Sequence, residues 1–582
     1  MKSLDFRKLE RKGQSSASVR FCNPSSTKMI PADARQYWPK LRHHQGYIAC
    51  LVVGRQYGRV IMPKGKITVH DATAPPTPTV WPAAIDYARR YPGRVLTIVL
   101  ALHLLVWTLL PLLLSPNLQL DLVEGLALGK EWQLGYWKHP PLPWWMDDLA
   151  FRLTGSIDVV YLLGPLTIIA CLAGVWLLAR AVVAPIEALF ATLALEGIHF
   201  YNFSAVKFAH DQLQLPFWVF TSLFFYRAIV HGRLLNWVLA GVFLAGAFWS
   251  KYAAVVLAAP LGLFLIFDPV ARRTWRTPGP YVMALFFLVV IAPNVWWLVT
   301  NDFLPFRYAD ERAKVVGHWY DYFVFLVEWA GGQTLTLLPV AALLGVIYWR
   351  GTTHNLPATT GIAAFNRRYV TLLALGPFLL TTIISVAAGR LAITMWGYPF
   401  WSFAPLAVVL WFGPITVGAN QRRLAACLFG IFLMMPLAYL TAEIVEPLLR
   451  DRGKATQFPG PTVAAHVTRA WRETYGTPLA YVGGDEFAAN NVAVYSTDRP
   501  HVVPHGDSNL APWVSADDLA RRGTVLIWEA NLLISQTIET ARSKHERIDI
   551  QPVLVLPRLS QGLTQRPARP ATIYFGFIAP RP

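Results

Sequence analysis

Two acidic residues follow the first long apolar run of the sequence. Asp121 and Glu124 are three positions apart, so on a helix they would share one face. A carboxylate beside a membrane can act as a general base that accepts the proton of an attacking hydroxyl group. The alternative is an interfacial helix with solvated charges, and composition alone leaves the two interpretations balanced.

Cations recur in the segments that join the apolar runs on one predicted side. They are Lys138, His139, Lys207, Lys251 and Arg390. A phosphodiester needs such a convergence, because Arg supplies paired hydrogen bonds and Lys supplies a point charge. Each cation alone is explained by a long side chain that reaches out of the membrane. Several on the side where few positive charges are expected favour a phosphate site.

Asp211 opens another apolar run, where capping a helix is the ordinary role of Asp and catalysis is the alternative. Glu196 lies within the preceding apolar run, where ionisable groups are costly and become functional candidates. Three histidines, His139, His210 and His318, occupy different segments, and the sequence does not show whether they meet. We find no metal-binding motif and predict neither a metal ion nor another cofactor.

The composition indicates that membrane-spanning helices position these residues. The chain has 582 residues, of which 54% are hydrophobic and 15% are charged, against about 25% charged in soluble proteins. A membrane span needs about 20 apolar residues. We therefore predict an all-α polytopic membrane domain with about eleven spans, near 94–114, 159–179, 183–200, 212–230, 235–250, 252–267, 281–300, 329–349, 369–388, 397–413 and 424–444.

The positive charge predicts the orientation. Residues 1–94 contain 17 Lys and Arg against 5 Asp and Glu, a net charge of +12. Nucleic-acid binding is one interpretation, but regularly spaced aromatic residues and a nucleic-acid-binding fold are missing. We favour a cytoplasmic, mostly disordered basic tail over 1–93, because arginines also occupy the turns predicted on that side.

The region after the last span alternates strand-like and helix-like segments. Apolar β-type runs such as 479–482, 525–528 and 553–556 are separated by helical patterns. We predict a small α/β domain over 446–582, placed outside by an odd number of spans. The membrane domain between tail and α/β domain is then 94–445.

Four short motifs occur in a family-like order. They are GYWKHPPL at 135–142, KFAHD at 207–211, SKY at 250–252 and WGYP at 396–399. Together they resemble bacterial polyprenyl-phosphate-sugar glycosyltransferases of the GT-C superfold over 94–445. That group includes protein O-mannosyltransferase-like enzymes, lipid A aminoarabinose transferases and rhizobial lipopolysaccharide galacturonosyltransferases.

The resemblance implies a sugar transferase with a lipid-linked donor on the periplasmic side of a bacterial inner membrane. It places the general base at Asp121, with Glu124 second, and matches Asp211 to an acidic position of the second loop. Two features depart from the family pattern: the adjacent Asp-Glu pair of eukaryotic mannosyltransferases is absent, and Ala209 replaces an expected Asn.

The predicted mechanism is a single inverting displacement. The donor phosphate would be bound by Lys207, Lys251 and Arg390, with Lys138 and His139 nearby, while the loop 301–328 closes over the site. The acceptor would be lipid A, a core sugar or another envelope glycan. The competing functions are a transporter or flippase of lipid-linked sugars and a structural subunit of envelope assembly.

Overall fold

The computed structural model describes residues 17–22, 48–53, 80–348, 360–413, 420–449, 453–530, 548–560 and 569–581. The chain divides into two units, Met1–Ala84 and Ile85–Pro582. In the first unit, strands β1 (Ala17–Cys22) and β2 (Ile48–Val53) pair in antiparallel fashion. Helix α1 (Val80–Arg90) occupies a stretch where the sequence predicts no regular structure. The rest of the predicted disordered tail lies outside the described residues.

Helices make up the membrane part of the second unit. In chain order they are α2 (Pro92–Leu114), α3 (Leu120–Gly129), α4 (Leu142–Thr154), α5 (Val160–Val182), α6 (Pro185–Leu193), α7 (His210–His231), α8 (Leu234–Ser250), α9 (Val255–Phe267), α10 (Gly279–Thr300), α11 (Leu304–Arg312), α12 (Tyr320–Tyr348), α13 (Gly361–Ala388), α14 (Ala404–Phe412), α15 (Asn420–Ile444) and α16 (Glu446–Leu449).

Among the described residues, seven helices are long and apolar enough to cross a membrane: α2, α5, α7, α10, α12, α13 and α15. The apolar helices α8 and α9 are shorter, with 17 and 13 residues. The predicted spans 183–200 and 397–413 are not single helices, because α6 ends at Leu193 in short 3₁₀ turns and α14 begins only at Ala404. The helical membrane architecture is confirmed, whereas the number of eleven spans is not.

Each of the seven long helices contains an internal proline. These are Pro111, Pro165, Pro216, Pro293, Pro339, Pro377 and Pro436. Proline has no backbone N–H and its ring meets the carbonyl of the residue four positions earlier. Membrane helices tolerate such positions where neighbouring groups satisfy the freed carbonyl.

The C-terminal region is an α/β domain, as predicted. Its sheet has the strand order β6 (His501–Pro504), β5 (Tyr481–Gly484), β7 (Thr524–Glu529), β10 (Ala571–Ile578) and β8 (Asp549–Ile550), and β9 (Leu554–Leu556) also pairs with β10. Strand β5 is parallel to β6 and β7, whereas β10 is antiparallel to its three neighbours. The elements are α17 (Gly460–Tyr475), β5 (Tyr481–Gly484), α18 (Glu486–Tyr495), β6 (His501–Pro504), α19 (Ala516–Arg522), β7 (Thr524–Glu529), β8 (Asp549–Ile550), β9 (Leu554–Leu556) and β10 (Ala571–Ile578).

This domain packs directly on the segment between the first two spans. Leu122 and Leu126 of α3 and Val492 of α18 belong to one buried apolar cluster. At its edge, Asn117 donates to Asn491 Oδ1 over 3.1 Å. Helices α3 and α4, which carry the first acidic residues, are therefore held between the membrane helices and the α/β domain.

Candidate active site

Asp121 lies in the first turn of α3, after Gln119 in extended conformation. Negative charge is favoured there, because the first N–H groups of a helix have no intrahelical partner. Within the described residues its carboxylate has no hydrogen-bond or ion-pair partner. Burial raises its pKa above the ordinary value of 3.8; Lys207 is the strongest opposing charge, and Asp211 adds to the rise. An unpaired carboxylate with a raised pKa suits a general base.

Lys207 is positioned by a chain of polar contacts that begins in α2. It follows the 3₁₀ turn Phe203–Val206, and the Asn202 side chain accepts a hydrogen bond from the first N–H of that turn over 2.7 Å. The Asn202 amide donates to the carbonyl oxygen of Glu196 over 2.7 Å. The Glu196 carboxylate pairs with Nδ1 of His103 at 2.9 Å. The intramembrane acid predicted as a functional candidate thus anchors the Lys207 segment.

The two lysines near Asp121 differ in their partners. In the part of the chain that the structure describes, the Lys207 ammonium has no hydrogen-bond or ion-pair partner, whereas that of Lys251 forms an ion pair with Asp211. Gln214 also donates to Asp211 Oδ1, over 3.2 Å. The residue that precedes α7 as its cap is Ala209. Asp211 is therefore a partner of a cation and not the helix cap.

Glu124, which follows Asp121 on α3, is already paired. Lys138 Nζ lies 2.6 Å from Glu124 Oε1 and 2.8 Å from Glu486 Oε2, and His505 Nε2 lies 3.3 Å from the other Glu486 oxygen. Burial alone would lower the pKa of Lys138, but the two carboxylates outweigh it and raise that pKa. Lys138 is thus a charged ammonium whose charge two carboxylates already balance.

His139 and His210 meet, with ring centroids 4.1 Å apart. Nε2 of His210 lies 3.1 Å from the carbonyl oxygen of Pro140, which fixes the pair between α7 and the loop before α4. Burial, followed by the neighbouring His210 and Lys251, holds the pKa of His139 well below its ordinary 6.5. A neutral imidazole can exchange a hydrogen bond with a phosphate but brings it no positive charge.

Arg390 belongs to a separate, exposed group. Its Nε and Nη2 atoms donate to the two carboxylate oxygens of Asp310, over 2.5 and 2.9 Å. Strand β4 (Arg390–Leu391) pairs with β3 (Lys314–Val315), which fastens Arg390 to the loop 301–328. His318 stacks on Tyr320 in the same loop, at 5.0 Å between centroids. In the described residues, no hydrogen bond joins Arg390 to Asp121.

Asp147 is an additional carboxyl group that the sequence analysis did not single out. It is fully buried on α4, and within the described residues both carboxylate oxygens lack a hydrogen-bond partner. It packs against the bare backbone of Gly125, where an added Cβ would lie 2.0 Å from Asp147 Oδ2. Burial, then the charges of Asp121 and Asp148, hold its pKa well above 3.8. Asp147 therefore contacts α3 at Gly125, four residues after Asp121, in surroundings that disfavour its charged form.

The signals for the overlooked residues differ. Asp147 and Asp148 follow two tryptophans in an otherwise apolar helix, and such an acidic pair is visible in the sequence. Nothing local marks Glu486 or His505, because each follows a short strand at an ordinary turn. Glu486 reaches Lys138 and His505 reaches Glu486 because β5 and β6 are parallel, so the carboxyl ends of both strands lie at one edge of the sheet.

The acidic and histidine side chains do not converge as a metal-ligand set. Within the described ranges, no group of three or more His, Cys, Asp or Glu side chains is arranged to hold a metal ion. The positive charges that act on Asp121 are those of Lys207, Lys138 and Lys251. The arrangement can therefore take up a proton at Asp121 and bind an anion at Lys207 with this chain's own residues.

Comparison with known families adds a functional class to this geometry. Residues 138–297 match the family described as dolichyl-phosphate-mannose-protein mannosyltransferase. The predicted resemblance to protein O-mannosyltransferase-like enzymes is confirmed over that segment. Of the GT-C site residues predicted from the sequence, three lie outside the matched segment, Asp121 and Glu124 before it and Arg390 after it.

Solved structures with similarity to the chain include two of ArnT from Cupriavidus metallidurans. One is in the apo state and one is bound to undecaprenyl phosphate, with 14% and 15% identity; each match covers 83% of this chain and 98% of ArnT at a TM-score of 0.46. The Archaeoglobus fulgidus oligosaccharyltransferase in its apo form is 13% identical, with 72% of this chain and 65% of that chain covered and a TM-score of 0.41. None of the curated proteins matches the sequence.

Proposed function

We propose that the protein is a glycosyltransferase that moves a sugar from a polyprenyl phosphate to an acceptor hydroxyl group. The observation that carries this proposal is the half-buried Asp121 carboxylate, whose strongest favourable charge is the Lys207 ammonium; neither group has a hydrogen-bond or ion-pair partner among the described residues. One group can accept a proton and the other can bind an anion, which are the two requirements of transfer from a lipid phosphate. The family match over 138–297 supports the same reaction class.

Asp121 acts as the general base. The acceptor oxygen forms a bond to the anomeric carbon while its proton passes to Asp121, and the carbon–oxygen bond to the phosphate breaks with its electron pair leaving on that phosphate. One such displacement inverts the configuration of the anomeric carbon. Glu124 is the weaker candidate, because its carboxylate is engaged by Lys138.

Lys207 and Lys251 stabilise the leaving phosphate. The donor phosphodiester carries one negative charge and the released lipid phosphate carries up to two, so fixed cations lower the barrier by stabilising charge that develops during the reaction. Lys207 can bind the phosphate without breaking an ion pair among the described residues. Lys251 is held in place by its ion pair with Asp211. His139 contributes a hydrogen bond as a neutral ring.

Lys138 and Arg390 are weaker candidates for binding the donor phosphate, because both are already paired with carboxylates. Lys138 lies between two carboxylates, and Arg390 is bound by Asp310. These carboxylates partly balance the charges of Lys138 and Arg390, so each attracts a phosphate less strongly than an unpaired cation would. Closure of the loop 301–328 over the donor can bring Arg390 to the phosphate, since Asp310 and β3 belong to that loop.

The proposed acceptor is lipid A, a core oligosaccharide or another envelope glycan. The proposed location is the bacterial inner membrane, with the basic tail in the cytoplasm and the α/β domain in the periplasm. Arginines at the turns 227–233 and 272–276 support this orientation, because they lie at the ends of α7 to α10 that are remote from Asp211 and Lys251.

The decisive experiment is sugar transfer in proteoliposomes. The full chain is supplied with a panel of labelled undecaprenyl-phosphate sugars and an envelope lipid extract. We expect Asp121→Asn to lower kcat/KM by about 10²-fold or more, as loss of a general base does. The matched control is Asp158→Asn. Asp158 is an exposed residue between α4 and α5, and its substitution should leave transfer unchanged.

Two outcomes would contradict the proposal. Full transfer by a folded Asp121→Asn protein would remove Asp121 from the chemistry. Absence of transfer with every donor, combined with movement of label across the bilayer, would assign the protein to the flippases of lipid-linked sugars.

A further inference from the structure

A groove lies between α9 and α13, at the opposite end of α9 from Lys251. Its volume is about 510 Å³, and its apolar wall includes Leu263, Phe267, Leu375 and Leu379. These four side chains are between 45 and 73% exposed, so the groove opens to the lipid side of the bundle. With 13 residues at about 1.5 Å each, α9 places the end of the groove at Asp268 roughly 20 Å from Lys251.

The polar end of the groove contains Arg368, which is held in place by Asp268. Asp268 follows α9 and accepts hydrogen bonds from the backbone N–H groups of Val270 and Ala271, over 2.8 and 3.0 Å. Arg368 donates its Nε to the other carboxylate oxygen, over 2.6 Å. Since this bond uses Nε, the two terminal amino groups of Arg368 remain for a second anion.

A second arginine lies beside the groove. The guanidinium of Arg367 lies over the ring of Trp411, at 5.4 Å from its centroid. The indole of Trp411 is oriented by its bond to Thr371 Oγ1, at 2.7 Å. Trp411 and Thr371 both line the groove, so the ring beneath Arg367 is part of the groove wall.

The surroundings add further positive charge. The turn after α9 carries the exposed residues Arg272, Arg273 and Arg276. Among the described residues around this end, these three arginines and Arg368 give four positive charges beside the negative charge of Asp268. An apolar groove that ends in such a cluster is complementary to a molecule with an acyl chain and an anionic headgroup.

We propose that this groove binds an anionic phospholipid, with its phosphate on Arg367 and Arg368 and one acyl chain along Leu263, Leu375 and Leu379. The site is distinct from the Asp121 group and does not depend on the proposed transferase reaction. Its arginine-rich end is the side predicted to face the cytoplasm, where anionic headgroups attract such clusters.

The test is lipid binding to the purified full chain, measured by native mass spectrometry with phosphatidylglycerol and with phosphatidylcholine. We expect phosphatidylglycerol to be retained more strongly, and Arg367→Gln to weaken its binding about tenfold. Leu375→Trp, which fills the groove without changing charge, should weaken it similarly. The matched control is Arg180→Gln: Arg180 also lies over a tryptophan ring, at 5.6 Å, but away from this groove.

Three outcomes would overturn the proposal. Equal retention of phosphatidylcholine would show that no anionic headgroup is recognised. An equal loss with Arg180→Gln would show that any arginine of this surface suffices. Displacement of phosphatidylglycerol by undecaprenyl phosphate would assign the groove to the donor. None of them involves transfer activity, so the transferase proposal is tested separately.

Discussion

The carboxylates of helices α3 and α4 differ in their hydrogen-bond and ion-pair partners. Asp121 and Glu124 share a helix, yet Glu124 is bound by Lys138 while Asp121 has no direct partner among the described residues. Asp147, next to Gly125, is buried, and burial followed by the charges of Asp121 and Asp148 holds its pKa well above 3.8. The spacing of Asp121 and Glu124 in the sequence does not show which of them is the general base. Their contacts in the structure favour Asp121.

Lys207 should set the acid limb of the pH profile. It is the strongest charge that lowers the pKa of Asp121, so Lys207→Gln should raise that pKa further above 3.8. Because the base must be ionised, activity is lost as pH falls through this pKa. The acid limb of kcat/KM should therefore move to higher pH in Lys207→Gln, measured over a full pH series.

The charge-conserving variant provides the control for this prediction. Lys207→Arg should leave the acid limb where it is in the wild-type protein, even if the rate changes. An unshifted limb in Lys207→Gln would mean that a group other than Asp121 controls the acid side of the profile.

Helices α3 and α4 are in contact because a glycine allows it. The backbone of α3 at Gly125 meets Asp147 of α4, and a Cβ there would lie 2.0 Å from Oδ2. We expect Gly125→Ala to lower the free energy of unfolding by about 1–3 kcal/mol, as overpacking does. It should also lower kcat by up to about 100-fold, since small displacements of a catalytic group have such effects.

Gly331→Ala is the matched control for this contact. Gly331 lies in α12, and an added Cβ would meet nothing within 4 Å. Chemical denaturation and transfer assays of both variants separate packing from helix propensity. A Gly125→Ala protein as stable and active as Gly331→Ala would contradict the close contact.

The elements show what apolar runs can and cannot predict. Hydropathy located the seven long helices, because each must bury its backbone hydrogen bonds in lipid. It failed at 183–200 and 397–413, where apolar residues pack inside the protein in short turns. At the end of the first range, hydrogen bonds and an ion pair of Glu196, with Asn202 just beyond it, direct the chain toward Lys207, and hydropathy does not register such side-chain contacts.

At the scale of the whole molecule, the α/β domain contributes to the site. Glu486 binds Lys138 across 348 positions of sequence, and His505 supports it. Charge and motif order were sufficient to group Asp121, Lys207 and Lys251. Contacts between distant elements depend on how the sheet docks on α3, and no local pattern encodes that docking.

Glu486 should tune the charge available at Lys138. In Glu486→Gln, one of the two carboxylates on Lys138 becomes neutral, so the ammonium attracts a phosphate more strongly. We expect undecaprenyl phosphate to bind a few-fold more tightly, as measured by equilibrium binding, together with a lower Tm. Asp517→Asn, an exposed acid of α19, is the control; equal affinity in both variants would contradict the coupling.

The internal prolines of the seven long helices have a mechanical consequence. Each interrupts its own hydrogen-bond ladder at one level, and helices bend most readily at such interruptions. Bending of the seven long helices should therefore be concentrated at these prolines, where a backbone hydrogen bond is missing.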